Sequence, residues 1–318
     1  MALFILFHKD GNKNDMNSEL IKRIILWPQI RKWKIVYTHY RVSKFCRRLI
    51  EDYYETKPAF DINVKKNISC KKIIWQYWSQ GFDSRNLPEI VQFCLNSVEK
   101  TSAECGYKLI KISDDNISDY IDLPEFVVRN RSKYPKAHFS DLLRCLLLRS
   151  YGGCWLDATV YLTGKIPEKY WDDDFFMYQR DDNEIRKEYW ENAFAYYYGW
   201  YKGFKVRVLN SIFFCKKDNN IISDLTNILL MFWNRGGNLP DYFLFQILFN
   251  ELLEGRYKNS NCRIESDCIP HYLQQFINDE QFDMCSLQEI LSLSNIHKLT
   301  YKGNVNASKV KGLLANGK

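Results

Sequence analysis

The stretch SDLLRCLLLRSYGGCWLDATV, residues 140–160, decides the fold of this chain. Its apolar side chains recur at helical spacing, which predicts a helix from His138 to Tyr151. Gly152 and Gly153 end that helix, and the apolar residues after them predict a short buried strand. The strand leads directly to Asp157, at the carboxyl end where open α/β sheets bind their ligands.

Strands and helices are predicted to alternate on both sides of this stretch. Upstream, residues 71–78 and 107–112 predict strands, with a helix over 89–100 between them. A strand, a helix and a second strand in that order imply a parallel pair joined by a crossover helix. Downstream, strands are predicted at 175–177 and 211–215, and helices at 221–233 and 241–253. The chain is therefore predicted to be an α/β protein.

Three charged residues of the same stretch suit phosphate chemistry. Asp141 and Arg144 lie one helical turn apart, and Asp157 follows across the glycine turn. A nucleotide-sugar carries a diphosphate whose charge grows as the glycosidic bond breaks; an arginine stabilises that charge, and a carboxylate can hold Mg²⁺ or Mn²⁺ against it. Each piece also has an ordinary interpretation, a surface ion pair for the first two residues and a turn for the third. The order of the whole string is more specific than its pieces.

The string resembles the pattern SD-x-x-R…GG-x-[YW]-x-D of DXD-containing sugar transferases, most closely their capsular polysaccharide synthesis relatives. Supporting strings are KKIIWQYWSQGFDSRNLPEIV at 71–91, GGCWLDATVYLTGKIP at 152–167 and IHKLTYKG at 296–303, so the resemblance covers about residues 70–305. It implies a GT-A fold, which is Rossmann-like with a mixed central sheet flanked by helices. It also implies retaining transfer from a nucleoside-diphosphate-sugar, expected to be a UDP-sugar. The implied acceptor is a lipid-linked oligosaccharide in capsular or exopolysaccharide biosynthesis.

The resemblance also assigns roles to single residues. Those implied to contact the substrate are Ile74, Trp75, Gln76, Tyr77, Trp78, Ser140, Asp141, Arg144 and Gly153. Asp157 is implied to bind Mn²⁺ or Mg²⁺ and to act in catalysis. The motif usually ends in a second acid, but this chain reads Asp157-Ala158-Thr159. Because Thr159 is a weaker metal ligand than a carboxylate, we expect either low metal affinity or a ligand from elsewhere in the chain.

Two later positions are further candidates. His297 can complete the metal shell, with Lys298 or Lys302 offsetting phosphate charge from the same segment. A lone histidine is equally compatible with a structural role. Asp241 is expected to open a helix, where an acid commonly caps the first turn. Alternatively, Asp241 faces the donor sugar or the acceptor as a catalytic residue.

Residues 1–69 are predicted to form a basic, aromatic-rich helical extension before a domain over 70–318. Residues 1–70 hold 14 Lys and Arg against 7 Asp and Glu, which accounts for the whole net charge of +7. Residues 21–50 contain nine basic residues and no acid, interleaved with Trp and Tyr, and Pro28 is expected to divide two helices. An anionic membrane surface attracts such a segment, although an ordinary helix packed on the domain has the same pattern. Nucleic-acid binding is disfavoured because no known nucleic-acid motif accompanies the charge.

Cysteine usage and hydropathy predict the compartment. The ten cysteines include no C-x-x-C pair, so we expect most of them to be reduced residues of the core. No stretch approaches the roughly 18 apolar residues that span a bilayer, and no convincing secretion signal is present. The chain is therefore expected to be cytoplasmic and peripheral on the inner face of the membrane. A non-catalytic scaffold in a polysaccharide assembly complex is the alternative function, supported only by the missing second acid.

Overall fold

The computed structural model describes residues 27–302, except 84, 86, 261, 280, 281 and 283, together with residues 310 and 312. The strands are β1 Ile73–Tyr77, β2 Lys108–Ile112, β3 Gly153–Leu156, β4 Val160–Leu162, β5 Phe175–Gln179, β6 Val208–Cys215 and β7 Ile296–Lys298. The α-helices are α1 Trp27–Thr56, α2 Glu89–Cys105, α3 Glu125–Asn130, α4 Lys136–Tyr151, α5 Glu168–Asp172, α6 Lys187–Ala193, α7 Asn220–Arg235, α8 Leu244–Glu254, α9 Tyr272–Asn278 and α10 Leu287–Leu293.

The central sheet has five strands in the order β2-β1-β3-β6-β5. Strand β1 pairs in parallel with β2 and β3, whereas β6 runs antiparallel to both β3 and β5. The predicted parallel pair with its crossover helix is confirmed, because α2 connects β1 to β2. Strands β4 and β7 form a separate antiparallel pair. The predicted α/β class, with a mixed sheet flanked by helices and an N-terminal helix, is confirmed.

Both faces of the central sheet are covered. Trp75, Trp155 and Phe213 point from one face into the main core, which also includes apolar residues of α1, α4, α7 and α8. Ile74 and Cys154 point from the other face into a second core. Buried strands of this kind alternate their side chains between two apolar layers. Ligands therefore have access to the sheet mainly at the ends of its strands.

The glycine turn between α4 and β3 allows two backbones to approach closely. Gly152 and Gly153 have φ values of +72° and +99°, which L side chains rarely adopt. A Cβ atom at Gly153 would lie 2.5 Å from the carbonyl oxygen of Ile73 on β1. Because β3 lies beside β1 only if this approach is possible, the turn positions Asp157 at the edge of the sheet.

Helix α1 is a single helix of 30 residues whose inner side is part of the main core. Its buried residues are Ile35, His39, Val42, Ser43, Cys46, Leu49 and Tyr53. The helix packs on α7 and α8. Pro28 lies in its first turn, where proline is well tolerated. The second of the two helices expected around Pro28 therefore begins at Trp27, whereas the first lies outside the described residues.

Two further expectations can be compared with the structure. All ten cysteines are free, and six of them are buried. The helix expected to open at Asp241 begins instead at Leu244. Asp241 lies in the preceding turn, where its carboxylate accepts a hydrogen bond of 2.8 Å from the backbone N–H of Phe243. Within the described part of the chain, no helix combines the length and the hydropathy needed to cross a membrane.

Candidate functional site

Arg144 joins the charged residues at the carboxyl end of β3. Its Nη1 donates to the carbonyl oxygen of Asn210 at 2.5 Å and lies 3.3 Å from Oδ1 of Asp141. Its Nη2 lies 3.4 Å from Oδ1 of Asp157 and donates to the hydroxyl of Ser140 at 3.2 Å. Only 5% of the Arg144 side chain is exposed. A buried guanidinium with two carboxylate neighbours is a fixed positive centre.

Asp141 and Arg144 are therefore not a surface ion pair, because both are buried on α4. The amide of Asn210 donates a further hydrogen bond of 2.8 Å to Oδ1 of Asp141. Burial raises the pKa of Asp141, and the neighbouring charge of Arg144 opposes that rise. The apolar spacing of α4 predicted the shared face of these two residues. It did not predict that the rest of the protein would cover that face.

Asp157 is held from several sides but remains partly open to solvent. The indole N–H of Trp155 donates to its Oδ1 at 2.8 Å, and Nζ of Lys298 lies 3.7 Å from its Oδ2. Burial by itself would raise the pKa of Asp157. Arg144, Lys298 and hydrogen bonds from Trp155 and Ser211 outweigh that effect, so this pKa is lowered. About 27% of the Asp157 side chain is exposed, which lets a ligand reach an ionised carboxylate.

Lys298 lies between the two atoms that the motif predicts as metal ligands. It reaches this position because β7 pairs with β4, with Val160 opposite Lys298. The backbone N–H of Leu299 donates to the carbonyl oxygen of Thr159 at 2.9 Å and continues the pairing. The ammonium of Lys298 donates to the hydroxyl of Thr159 and approaches Oδ2 of Asp157. The predicted position for a metal is therefore next to a cationic side chain.

His297 faces away from this group. Successive side chains of a strand point to opposite sides, so His297 and Lys298 on β7 diverge. The His297 ring is fully buried, lies 3.2 Å from the hydroxyl of Thr163 through Nε2, and packs beside Tyr161. Burial lowers its pKa to about 3. The structure therefore does not bring His297 to Asp157, and the expected completion of a metal shell by this residue is corrected.

The site residues do not fit a divalent metal well. Among the described residues, no group of three His, Cys, Asp or Glu side chains could hold an ion. Asp157 is the one carboxylate of the expected set, and two cations already lie within 4 Å of it. The hydroxyl of Thr159 is already the acceptor of Lys298. A hard dication prefers several oxygen ligands and would be repelled by these side chains.

Strand β1 contributes to the site only at its end. Ile74, Trp75 and Gln76 are fully buried, and the indole of Trp75 donates to the carbonyl oxygen of Gly152 at 3.0 Å. The expected substrate contact of Ile74 and Trp75 is therefore corrected to packing in the two cores. The buried amide of Gln76 has no hydrogen-bond partner among the described residues, so its substrate contact stays a prediction. Tyr77 and Trp78 lie at the carboxyl end of the strand, where Tyr77 is still buried and Trp78 is half-buried. Gly153 begins β3 at the end opposite Asp157 and packs closely on β1. The expected contact of Gly153 with the substrate is therefore corrected to packing between two strands.

A cavity of about 430 Å³, lined by both charged and apolar side chains, lies beyond the ends of β1 and β2. Its lining includes Asp114, Arg131 and Lys136. The hydroxyl of Tyr77 donates to Oδ1 of Asp114 at 2.6 Å, and Arg131 donates to the same two residues. Sequence reasoning missed Asp114 as a site residue. Its place directly after a predicted strand was the signal that would have identified it.

Tyr242 and His138 are in contact, which the sequence did not indicate. The imidazole Nε2 of His138 lies 3.1 Å from the carbonyl oxygen of Tyr242, and the two rings pack edge to face. Burial raises the pKa of Tyr242, as do Tyr197 and the carboxylates of Asp141 and Asp157. Asp241, the neighbour of Tyr242 in the chain, is half-buried and is engaged in the turn before α8.

Lys302 lies at the end of the continuously described chain. Its side chain is exposed, and its ammonium lies 5.7 Å from the centre of the Tyr301 ring. That ring packs edge to face against Trp78. Lys302 therefore lies near the end of β1 rather than against Asp157, where Lys298 is placed. Its role in binding phosphate stays a prediction.

The match with a protein family extends over nearly the whole chain. The pattern of the family described as "Capsular polysaccharide synthesis protein" matches residues 27–315. The chain belongs to this family. The match begins at the first residue of α1, so it includes the sequence of this helix, whereas the motif resemblance covered only about residues 70–305.

Three proteins described as glycosyltransferases are similar to parts of this chain. "O-glycosyltransferase braB" of Annulohypoxylon truncatum is 29% identical over 119 residues, which span 35% of this chain and 28% of that protein. A solved glycosyltransferase "involved in the glycosylation of the major capsid of PBCV-1" is 10% identical, with a TM-score of 0.39 over 76% of this chain and 98% of that chain. The "PaToxG Glycosyltransferase" is 14% identical, with a TM-score of 0.34 over 68% and 79%.

Proposed function

We propose that this protein is a GT-A type glycosyltransferase of capsular or exopolysaccharide biosynthesis. It transfers a sugar from a nucleoside-diphosphate-sugar, with a UDP-sugar as the expected donor, to a lipid-linked oligosaccharide. The observation that carries the proposal is the arrangement of Arg144, Asp157 and Lys298 at the carboxyl end of β3. A fixed positive centre beside a partly open carboxylate suits a diphosphate that leaves and a sugar whose hydroxyls must be held.

The reaction requires charge stabilisation more than it requires a strong base. The bond between the anomeric carbon and the diphosphate oxygen breaks, and its electron pair stays on the diphosphate. The acceptor hydroxyl oxygen bonds to the same face of that carbon, and its proton passes to the departing diphosphate, so configuration is retained. Arg144 and Lys298 are placed to stabilise the growing negative charge, while Asp157 accepts hydrogen bonds from sugar hydroxyls.

The cavity beyond β1 and β2 suits the nucleoside part of the donor. Open α/β sheets bind nucleotides outside the carboxyl ends of their strands, and this cavity lies at that edge. Asp114 can accept hydrogen bonds from ribose hydroxyls, and the half-buried ring of Trp78 and the apolar lining of the cavity offer apolar surface to a base. Arg131 and Lys136 add positive charge beside the expected path of the diphosphate.

A donor screen tests the proposal. The protein is incubated with a panel of UDP- and GDP-sugars, once with Mn²⁺ and once with excess EDTA, and the released nucleotide is measured. Release from at least one donor, lost in Asp157→Ala while thermal melting is retained, is the expected result. If no donor is turned over in either condition but nucleoside diphosphates bind, the protein is the non-catalytic scaffold and the catalytic proposal is wrong.

We further propose that the outer side of α1 binds an anionic membrane surface at the inner face of the cytoplasmic membrane. Trp33, Tyr37 and Tyr40 are exposed on this side. The exposed basic residues of the same helix are Lys34, Arg41, Lys44, Arg47 and Arg48. Aromatic side chains beside basic ones are typical of helices that lie in a lipid interface. A lipid-linked acceptor would be presented at that same surface.

Removing the three exposed aromatic rings of α1 is expected to weaken vesicle binding by roughly tenfold or more. The variant is Trp33→Ala/Tyr37→Ala/Tyr40→Ala, because deletion of the whole helix would expose the main core. Co-sedimentation with vesicles of phosphatidylserine and phosphatidylcholine measures the effect. The control replaces three exposed apolar residues elsewhere, Ile185, Ile264 and Leu293, with Ala. Equal binding by both triple variants would rule out docking through α1.

A further inference from the structure

The ammonium of Lys298 lies where the sequence motif calls for a metal ion. It donates to the hydroxyl of Thr159 and lies 3.7 Å from Oδ2 of Asp157. These are the two side chains that the motif predicts as metal ligands. Only 17% of the Lys298 side chain is exposed. The pairing of β4 with β7 fixes its backbone opposite Val160. The position of the Lys298 ammonium is therefore fixed by the fold, unlike that of a lysine on a flexible surface segment.

The charges around Asp157 leave little room for a dication. Arg144 and Lys298 contribute two positive charges within 4 Å of one carboxylate, which is only partly exposed. Asp141, the next carboxylate, already contacts Arg144 and the amide of Asn210. His297, the remaining candidate ligand, is directed to the opposite side of β7. Each of the two carboxylates therefore already has a cationic partner, and a dication would have to displace one of these cations to gain an oxygen ligand.

Lys298 can also bind an incoming phosphate oxygen. A separation of 3.7 Å from Asp157 is a contact between charges rather than a hydrogen bond. The contact with the carbonyl oxygen of Leu299, at 3.4 Å, is also long. An ammonium has three donors, so Lys298 retains capacity for a new partner while it stays bound to Thr159. A lysine binds phosphate as a compact point charge, which is the contribution a metal would otherwise make.

We propose that Lys298 replaces the divalent metal and that this protein transfers sugar without one. The inference rests on the proposed glycosyltransferase function. Lys298 contacts the diphosphate of the donor and neutralises the charge that develops on it as the glycosidic bond breaks. Arg144 supplies the second, fixed positive charge from the floor of the site. Lys298 is thus a catalytic residue, and Thr159 is a positioning residue that holds its ammonium. Asp157 both orients this ammonium and accepts hydrogen bonds from the sugar.

The test compares metal dependence with the effect of removing the ammonium. Wild-type protein is expected to release nucleotide in excess EDTA at a rate within about twofold of that with added Mn²⁺. Lys298→Ala should lower kcat by about 10²-fold or more, the usual effect of losing one preorganised charge donor. Added ethylammonium should restore part of this loss, because it returns the missing group to its cavity. A lysine that only supported the fold would not give such rescue.

Nucleotide binding gives a second measurement that does not depend on turnover. Lys298→Ala should weaken binding of UDP much more than binding of uridine, because only UDP carries the diphosphate. Lys165→Ala is the matched control; this exposed lysine follows β4 and pairs with Glu168. Lys165→Ala should change the binding of neither UDP nor uridine. Lys298→Met, which keeps most of the side-chain volume, shows whether any loss follows from unfolding, as judged by thermal melting.

The outcomes separate the inference from the function on which it rests. If wild-type turnover stops in EDTA and returns with Mn²⁺, the protein is a glycosyltransferase and the inference about Lys298 is wrong. If Lys298→Ala keeps full turnover in EDTA, Lys298 has no catalytic role and the inference is again wrong. If no donor is turned over with or without metal, the proposed function and the inference both fail.

Discussion

Replacing Arg144 with Met is expected to destabilise the protein by about 3–5 kcal/mol and to abolish turnover. The guanidinium is buried between the carboxylates of Asp141 and Asp157, at 3.3 and 3.4 Å. Without it, two carboxylates lose their buried counter-ion, and the floor of the site becomes negative where a diphosphate must bind. Denaturant unfolding and nucleotide-release assays measure the two effects.

The stability loss in Arg144→Met should depend on pH. In the wild-type protein, the pKa of Asp157 is lowered, so its contribution to stability is present at neutral pH and is lost as the pH falls through that pKa. Without Arg144 the pKa values of Asp141 and Asp157 should both rise. The difference in unfolding free energy between variant and wild type should then shrink as the pH falls from 7 towards 4, because protonation removes the unpaired charges.

Arg149→Met is the matched control for this prediction. Arg149 lies on the same helix, α4, but its Nη1 donates to a neutral partner, the side-chain oxygen of Asn227, at 2.8 Å. The control should lose about 1 kcal/mol and keep its turnover, since one ordinary hydrogen bond is removed. If Arg144→Met is no less stable than Arg149→Met at neutral pH, the buried charge network does not have the role described.

Replacing Gly153 with Ala is expected to destabilise the protein by at least about 3 kcal/mol. Two costs add: an L residue at φ +99°, and a Cβ atom 2.5 Å from the backbone oxygen of Ile73. Because backbone rather than a flexible side chain is in the way, β1 and β3 must separate. Denaturant unfolding of the soluble variant measures the loss; strong aggregation on expression would be its extreme form.

Substitutions at two other glycines distinguish the backbone cost from the steric cost of Gly153→Ala. Gly106 has φ +70° with nothing within 4 Å of its Cβ position, so Gly106→Ala should show the backbone cost alone, about 1–2 kcal/mol. Gly237 has neither a positive φ nor a close neighbour, and Gly237→Ala should be nearly neutral. A loss in Gly153→Ala no larger than in Gly106→Ala would show that β1 and β3 tolerate the added atom.

Neighbours along the chain were predictable from sequence. The periodic apolar residues of α4, the two glycines and the short run before Asp157 each indicate a local structure, and all three form close to where they were expected. The carboxyl-end rule for parallel strands then placed Asp157 beside Asp141 and Arg144. These contacts could be predicted because the residues that make them are separated by a single turn of the chain.

Contacts between distant segments were not predictable in the same way. Lys298 and Thr159 are 139 positions apart, and they meet only because β7 pairs with β4 in a particular register. A register one residue different would have placed His297 toward Asp157, as the sequence-based hypothesis assumed. Likewise, an aromatic strand such as β1 does not indicate which of its rings are core and which reach the edge. Trp75 is buried, whereas Trp78 is not.

The way α1 is attached has a consequence for the order of events during synthesis. Arg47 contacts Glu251, 204 positions later in the chain, and Tyr53 contacts Asp224, 171 positions later. At translation rates of about 5–20 residues per second, roughly 10–40 seconds pass before these partners leave the ribosome. During that time the apolar side of α1, later buried, has no native partner. A ribosome-bound chaperone or a lipid surface would meet this helix before the rest of the protein does.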